Sequence, residues 1–200
     1  NHESWNFPWN QYLLAPSGAL QWPFHQHAAN ITPGGNLLMF DNGTYRARPF
    51  DPKMSTADSY SRAVEYHVDS LNGTASEVWS YGEADERFYS PIIGSGYELP
   101  ETHNVLITDG ARSTESIGTG DDPPGTSRWA RIIEVTHAAP ARKVFELIVG
   151  DPSVPSPPGW LVYRGKHVAS LYGAPPVSIR PNSCKLPVFS QHEVRIRCCR

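Results

Sequence analysis

The feature that most constrains this chain is that it repeats itself. Asn36-Leu-Leu-Met-Phe-Asp-Asn-Gly43 returns 68 residues later as Asn104-Val-Leu-Ile-Thr-Asp-Gly110. Arg62-Ala-Val-Glu-Tyr66 returns as Arg131-Ile-Ile-Glu-Val135 at an offset of 69, and Glu77-Val-Trp79 as Lys143-Val-Phe145 at an offset of 66. Three matches in one order at nearly constant offset mark an internal structural repeat. Each unit is built of short apolar runs bounded by Gly, Asn and Asp, which read as strands. Ser61 to Val68 alternates, with Ala63, Glu65 and His67 on one face and Arg62, Val64, Tyr66 and Val68 on the other, as expected of a half-buried strand. Asp69 to Gly73 turns the chain, and Ala75 to Tyr81 returns as a hairpin. Gly and Pro total 35 of 200 residues against 18% charged residues, which favours strands and turns over helices. Each unit then holds about four strands, the content of a propeller blade.

The period exceeds the roughly 40–50 residues of familiar propeller repeats, and the surplus falls in loops 44–59 and 111–127. Two blades cannot close a ring. The expected fold class is therefore all-β, a partial β-propeller of about two four-stranded blades. Gly159 to Tyr172 reads as one or two more strands, a closing segment. Residues 1–21, with Trp5, Phe7, Trp9 and Tyr12, read as the end of an earlier unit. The chain starts at Asn1 without a methionine and is read as a fragment or processed product. Residues 174–200 change character, being Pro-rich and then basic, and are expected to lie outside the core. The domain division is thus 1–173 and 174–200.

A net charge of −3 gives no sign of a nucleic-acid partner. No run of 18 apolar residues exists, so no transmembrane helix is expected. The three cysteines, Cys184, Cys198 and Cys199, fit no zinc spacing, and no metal is expected. Asn30-Ile-Thr, Asn42-Gly-Thr and Asn72-Gly-Thr match the glycan-acceptor pattern, though Asn-Gly turns account for two of them.

The stretch from Trp22 to Gly43 carries the candidate chemistry. His25 and His27 precede a turn at Thr32 to Gly35, and Leu37 to Phe40 follows as a buried strand. On an extended segment, residues two apart point to the same face. The residues alone allow a nucleophile and base, metal ligands or ordinary strand histidines. Metal is the weaker of these, since a zinc site needs three or four ligands and none accompanies these two. Asp41 is as suited to closing a turn as to acting. An offset of 68 carries His27 onto Ser95, so the repeat keeps the scaffold and drops the imidazole.

Trp22-Pro-Phe-His-Gln-His-Ala28, Gly35-Asn-Leu-Leu-Met-Phe-Asp-Asn-Gly43, Ser61-Arg-Ala-Val-Glu-Tyr66, Glu77-Val-Trp-Ser-Tyr-Gly82 and Phe88-Tyr-Ser-Pro91 together resemble the bacterial arylsulfate sulfotransferases. Tyr163-Arg164 and Ser170-Leu-Tyr172 resemble that family's C-terminal end. The resemblance covers roughly residues 20 to 172 and implies a C-terminal fragment of a six-bladed propeller. It implies transfer of a sulfuryl group from a phenolic sulfate to a phenolic acceptor, in a ping-pong cycle through a covalent histidine, with no cofactor. It also implies a periplasmic or extracellular setting. The nucleophile aligns with His27; His25 is a second candidate for contact with substrate. A neutral imidazole is a nucleophile near pH 7, and a sulfohistidine divides one hard transfer into two easier ones. Arg62 is a candidate donor to the sulfuryl oxygens, or else a strand-edge cation paired to Glu65 or Asp69. Arg131, at the equivalent repeat position, argues for a structural role in both. Tyr89 and Phe88 are candidates for an aromatic wall, and Trp79 for the core.

The family takes further histidines, an asparagine and an arginine from earlier blades. The 200-residue chain alone is therefore expected to have little or no activity. The alternative function is a binding or scaffold propeller that has lost sulfotransfer; a third is another hydrolase or lyase on the same fold.

Overall fold

The computed structural model describes residues 9–47, 51–55, 57–83, 85–113, 127–150, 159–168 and 194–198. The aromatic start at Trp5 and Phe7, most of loop 111–127, the Ser170 to Tyr172 motif, Cys184 and Cys199 lie outside these residues. After a 3-10 turn at Trp9–Tyr12, every described element is a strand: β1 (Ala15–Pro16), β2 (His27–Ile31), β3 (Leu37–Asp41), β4 (Arg62–Asp69), β5 (Thr74–Tyr81), β6 (Ser95–Glu98), β7 (Val105–Ser113), β8 (Arg128–Val135), β9 (Lys143–Val149) and β10 (Val194–Cys198). No helix among the described residues is long and apolar enough to cross a membrane.

The strands form two open five-stranded sheets, ordered β1-β5-β4-β3-β2 and β10-β9-β8-β7-β6. Each is a four-stranded antiparallel meander with a fifth strand added at one edge. β1 runs parallel to β5, and β10 runs antiparallel to β9. The second edge strand comes from the 174–200 segment.

The sequence repeat is realised pair for pair. Leu38 faces Glu65 as Leu106 faces Glu134, and Asp41 faces Arg62 as Asp109 faces Arg131. Glu65 faces Trp79 as Glu134 faces Phe145, and a bulge follows each of those pairs. His27 faces Phe40 as Ser95 faces Thr108. Asn36 donates to Glu65 and Asn104 to Glu134 in the same way, at 2.8 and 2.6 Å.

The main core lies between the sheets. Leu38, Phe40, Ala63, Trp79 and Tyr81 of the first meet Val105, Ile107, Ile133 and Val135 of the second, with Phe88 from the connection. Burying such side chains is worth about 1.5–3 kcal/mol each. The other face of the first sheet holds Met39, Val64 and Tyr66 under Leu20. β4 is therefore covered on both faces over its first five residues. It is not the half-buried strand that its alternation suggests, because its polar members are ion-paired inside.

Polar contacts also join the sheets. His137 Nε2 lies 2.7 Å from Glu65 Oε2, and the His137 ring meets Trp79 edge-on at 5.0 Å. Trp79 Nε1 donates to the Ala138 carbonyl.

Residues 159–168 do not add a strand. They run across the second sheet, making single bonds in turn. Trp160 N donates to Arg128 O, Val162 N to Gly110 O, and Gly165 N to Thr108 Oγ1. His167 N then donates to the Tyr97 hydroxyl. Isolated bonds to successive strands cannot build a ladder.

Each sheet holds a buried arginine on carboxylates. Arg131 contacts Glu86, Asp109 and Glu146. Burial pushes the Glu86 carboxyl up. The charge and hydrogen bond of Arg131, then the Tyr81 hydroxyl and Lys143, outweigh that and hold it at about 2, against an ordinary 4.5. A carboxyl depressed on folding adds stability that is full above its unfolded value and is lost as pH falls toward its folded value. Glu86→Gln should therefore lower stability most above pH 4.5, and its difference from the native protein should fade as pH falls from 4.5 toward 2. With 34% of the side chain exposed, solvent screens the pair and the difference is small. A pH series of urea midpoints would measure it.

Candidate functional site

His27 opens β2 in an unusual backbone. His25 and Ala28 both have positive φ, 56° and 53°. The β2–β3 register shifts between His27 and Asn30. A bulge re-aims the side chain beside it, and left-handed non-glycine residues persist where the surroundings enforce them. Here the brace is Asn30, whose amide donates to Ala28 O, Leu38 O and, across to the second sheet, Gly96 O at 2.7 Å. That amide is thereby committed within the fold.

His25 is not on the extended segment. It precedes β2 in a left-handed bend and is exposed, with its ring edge-on to Tyr45 at 6.0 Å. The two imidazoles therefore do not share a strand face. What His25 brings to His27 is its carbonyl oxygen, 3.2 Å from Nδ1.

The closest partner of His27 is Asn42, whose Oδ1 lies 2.6 Å from Nδ1. Asn42 is fully buried. Its Nδ2 donates to Ser90 O and Ile93 O, both at 2.7 Å, on the connection between the sheets. Ser61 Oγ bonds Asn42 O and Ser90 O, and Thr44 Oγ1 donates to Pro91 O. On its other side His27 meets the ring of Tyr163, edge-on at 6.1 Å. Among the described residues Nε2 has no hydrogen-bond partner.

Asp41 closes a turn and anchors cations. Its Oδ1 accepts from Phe24 N and Gly43 N, and its Oδ2 meets Arg46 and Arg62. Gly43 has a φ of 68°, and an added Cβ would stand 1.9 Å from Tyr60 O. Gly43→Ala is therefore expected to destabilise by about 3 kcal/mol, combining left-handed strain with a backbone clash. Urea unfolding would read it.

Arg62 is only 3% exposed. Nε donates to Asp41, Nη1 to both oxygens of Glu77, and Nη2 to Gln21 O and Tyr66 Oη. A guanidinium has five N–H donors, and all are taken. Burial pulls its pKa down, but the Tyr66 oxygen, Asp41 and Glu77 push it above its ordinary value. Its partners are not Glu65 or Asp69, because the strand alternation puts Glu65 on the opposite face. A cleft of about 430 Å³ opens beside it, rimmed by Glu77, Glu83 and Asp85, a surface that repels an anion.

Tyr89 is half-buried and hydrogen-bonded with Thr44 and Ser59, and burial pushes its phenol up. Phe88 is core, 6.2 Å from Phe40. Among the described residues the aromatic side chain in ring contact with His27 is thus Tyr163. Sequence reading missed both Tyr163 and Asn42 as site residues. Tyr163 was visible only as part of a terminal motif, and Asn42 only as half of an Asn-Gly turn.

The model of the family described as Arylsulfotransferase (ASST) matches residues 1–149. The arylsulfate sulfotransferase AssT of Escherichia coli O6:H1 (strain CFT073) is 41% identical over 86 residues, 42% of this chain and 14% of that protein. The arylsulfate sulfotransferase AssT of Lelliottia amnigena is 46% identical over 72 residues, 34% of this chain and 11% of that protein. The aligned part of the chain thus spans about a seventh or less of these relatives.

Proposed function

This chain belongs to the arylsulfotransferase family, and from that premise we propose that the protein moves a sulfuryl group from an aryl sulfate ester to a phenol through His27. The observation that carries the proposal is the state of the His27 ring. One nitrogen is held by Asn42, the other has no hydrogen-bond partner among the described residues, and an aromatic ring stands beside it. In the first half-reaction Nε2 attacks sulfur. An S–N bond forms, the ester S–O bond breaks, and the leaving phenolate takes the electron pair. In the second, the acceptor phenol oxygen attacks sulfur as its proton passes to water, which returns one proton to the departed phenolate. An S–O bond forms, the S–N bond breaks, and neutral His27 returns.

Charge on the three sulfuryl oxygens requires aligned donors. Arg62 spends all five donors within the fold, and Arg46 is tied through Nη2 to Asp41 and Tyr60 O. The donors come instead from parts of the protein beyond this chain, in a propeller whose repeats continue the two sheets described. The isolated 200 residues should then turn over little substrate. The setting is periplasmic or extracellular.

The test is incubation of the full-length protein with 4-nitrophenyl sulfate and mass analysis of the peptide carrying His27. A sulfuryl increment that phenol chases away supports the reading. A folded protein with neither adduct nor nitrophenol release would leave a binding or scaffold module instead.

A further inference from the structure

We propose that Asn42 is the positioning residue for His27, fixing its ring as the Nδ1–H tautomer with the Nε2 lone pair left free. Its use in sulfotransfer rests on His27 being the nucleophile; the hold on the ring does not.

An amide can be built either way round, and its partners decide which. The two Asn42 contacts at Ser90 and Ile93 are backbone carbonyls, which only accept. The amide nitrogen must therefore face them, and the amide oxygen must face His27. That oxygen also only accepts, so Nδ1 must carry the proton. The second neighbour of Nδ1, the His25 carbonyl at 3.2 Å, requires the same. Two independent acceptors thus force one tautomer, and a neutral imidazole protonated at Nδ1 has its nucleophilic lone pair at Nε2.

The hold is delivered through the fold. Asn42 leaves the end of β3, while the carbonyls that orient it belong to the connection leading to β6. Ser61 and Thr44 tie that connection back to the first sheet. The ring is therefore aimed only when the connection between the sheets is seated. Asn42→Asp would not substitute, since it would set a carboxylate oxygen against two carbonyls.

Histidine-selective nitrogen-15 labelling of the full-length protein, read by long-range nitrogen–proton correlation in alkaline buffer, reports which nitrogen is protonated. The expected result is Nδ1–H in the native protein. In Asn42→Ala only the longer His25 carbonyl contact remains at Nδ1, so the Nδ1–H share should fall, with kcat down by about 10²-fold or more and KM little changed. Nε2–H in the native protein overturns the proposal, as does an unchanged tautomer and kcat in a folded Asn42→Ala. Should that variant fail to fold, the native tautomer still decides. An Nδ1–H ring in a protein that forms no sulfuryl adduct would support the hold while sinking sulfotransfer. An adduct on His27 with an Nε2–H ring would do the reverse.

Discussion

Replacing His27 with alanine in the full-length protein should lower turnover of an aryl sulfate by about 10⁴-fold or more while leaving the protein folded. The size follows from the role. Loss of the proposed sulfuryl acceptor would remove the covalent route altogether, whereas loss of a binding contact costs far less. Folding should survive because the ring is only partly buried and packs at the mouth of β2, outside the core. Water can take over the Asn42 oxygen. Nitrophenol release with and without phenol, together with the mass of the peptide, would measure it. Turnover that persists would move the nucleophile elsewhere, with His25 the next imidazole in the chain.

Arg62→Met should have the largest effect on stability, a loss of about 3–5 kcal/mol. The change keeps most of the apolar stem and removes the charge. What it leaves is the difficulty. Asp41 is fully buried and Glu77 largely so, with Tyr66 Oη and Gln21 O also facing the vacated guanidinium. Breaking one member of a buried charge network costs more than the network contributes, because an uncompensated ion remains. Arg46 still holds Asp41 Oδ2 at 3.1 Å, so the loss falls at the lower end if that pair compensates. Pairing the change with Glu77→Gln should recover part of it. Equilibrium urea unfolding of the single and double variants would show this, and additivity between them would contradict the shared network.

The sequence made the scaffold legible and the site only partly so, for one reason. Repetition reveals which residues serve the fold, and Asp41 and Arg62 were visible as echoed by Asp109 and Arg131, although their pairing was not, Arg62 being expected beside Glu65 or Asp69. The structure confirms their register. It also shows where the echo shifts its chemistry. Lys143 stands where the first unit has Glu77, and Glu146 moves three residues on to reach Arg131. His27 was legible from the motif Gln26-His27-Ala28 that resembles the family, and its echo as Ser95 only added to that. Asn42 was hidden because an Asn before a Gly has a sufficient explanation as a turn. Its partners, Ser90 O and Ile93 O, are backbone groups that no side-chain pattern encodes. The left-handed conformation at Ala28 was equally illegible, since alanine does not announce positive φ.

The way the two sheets meet has a consequence for assembly. The first uses the face carrying Leu38, Phe40 and Ala63, whose register counterparts in the second are Leu106, Thr108 and Ile132. The second answers with its opposite face, through Val105, Ile107 and Ile133. The contact is thus heterologous, front to back, and has no two-fold relation. A heterologous step carries the same unused surface forward each time, and it ends only by closing a ring or by being capped. Residues 159–168 lie over Thr108 and Ile132, on that forward surface of the second sheet.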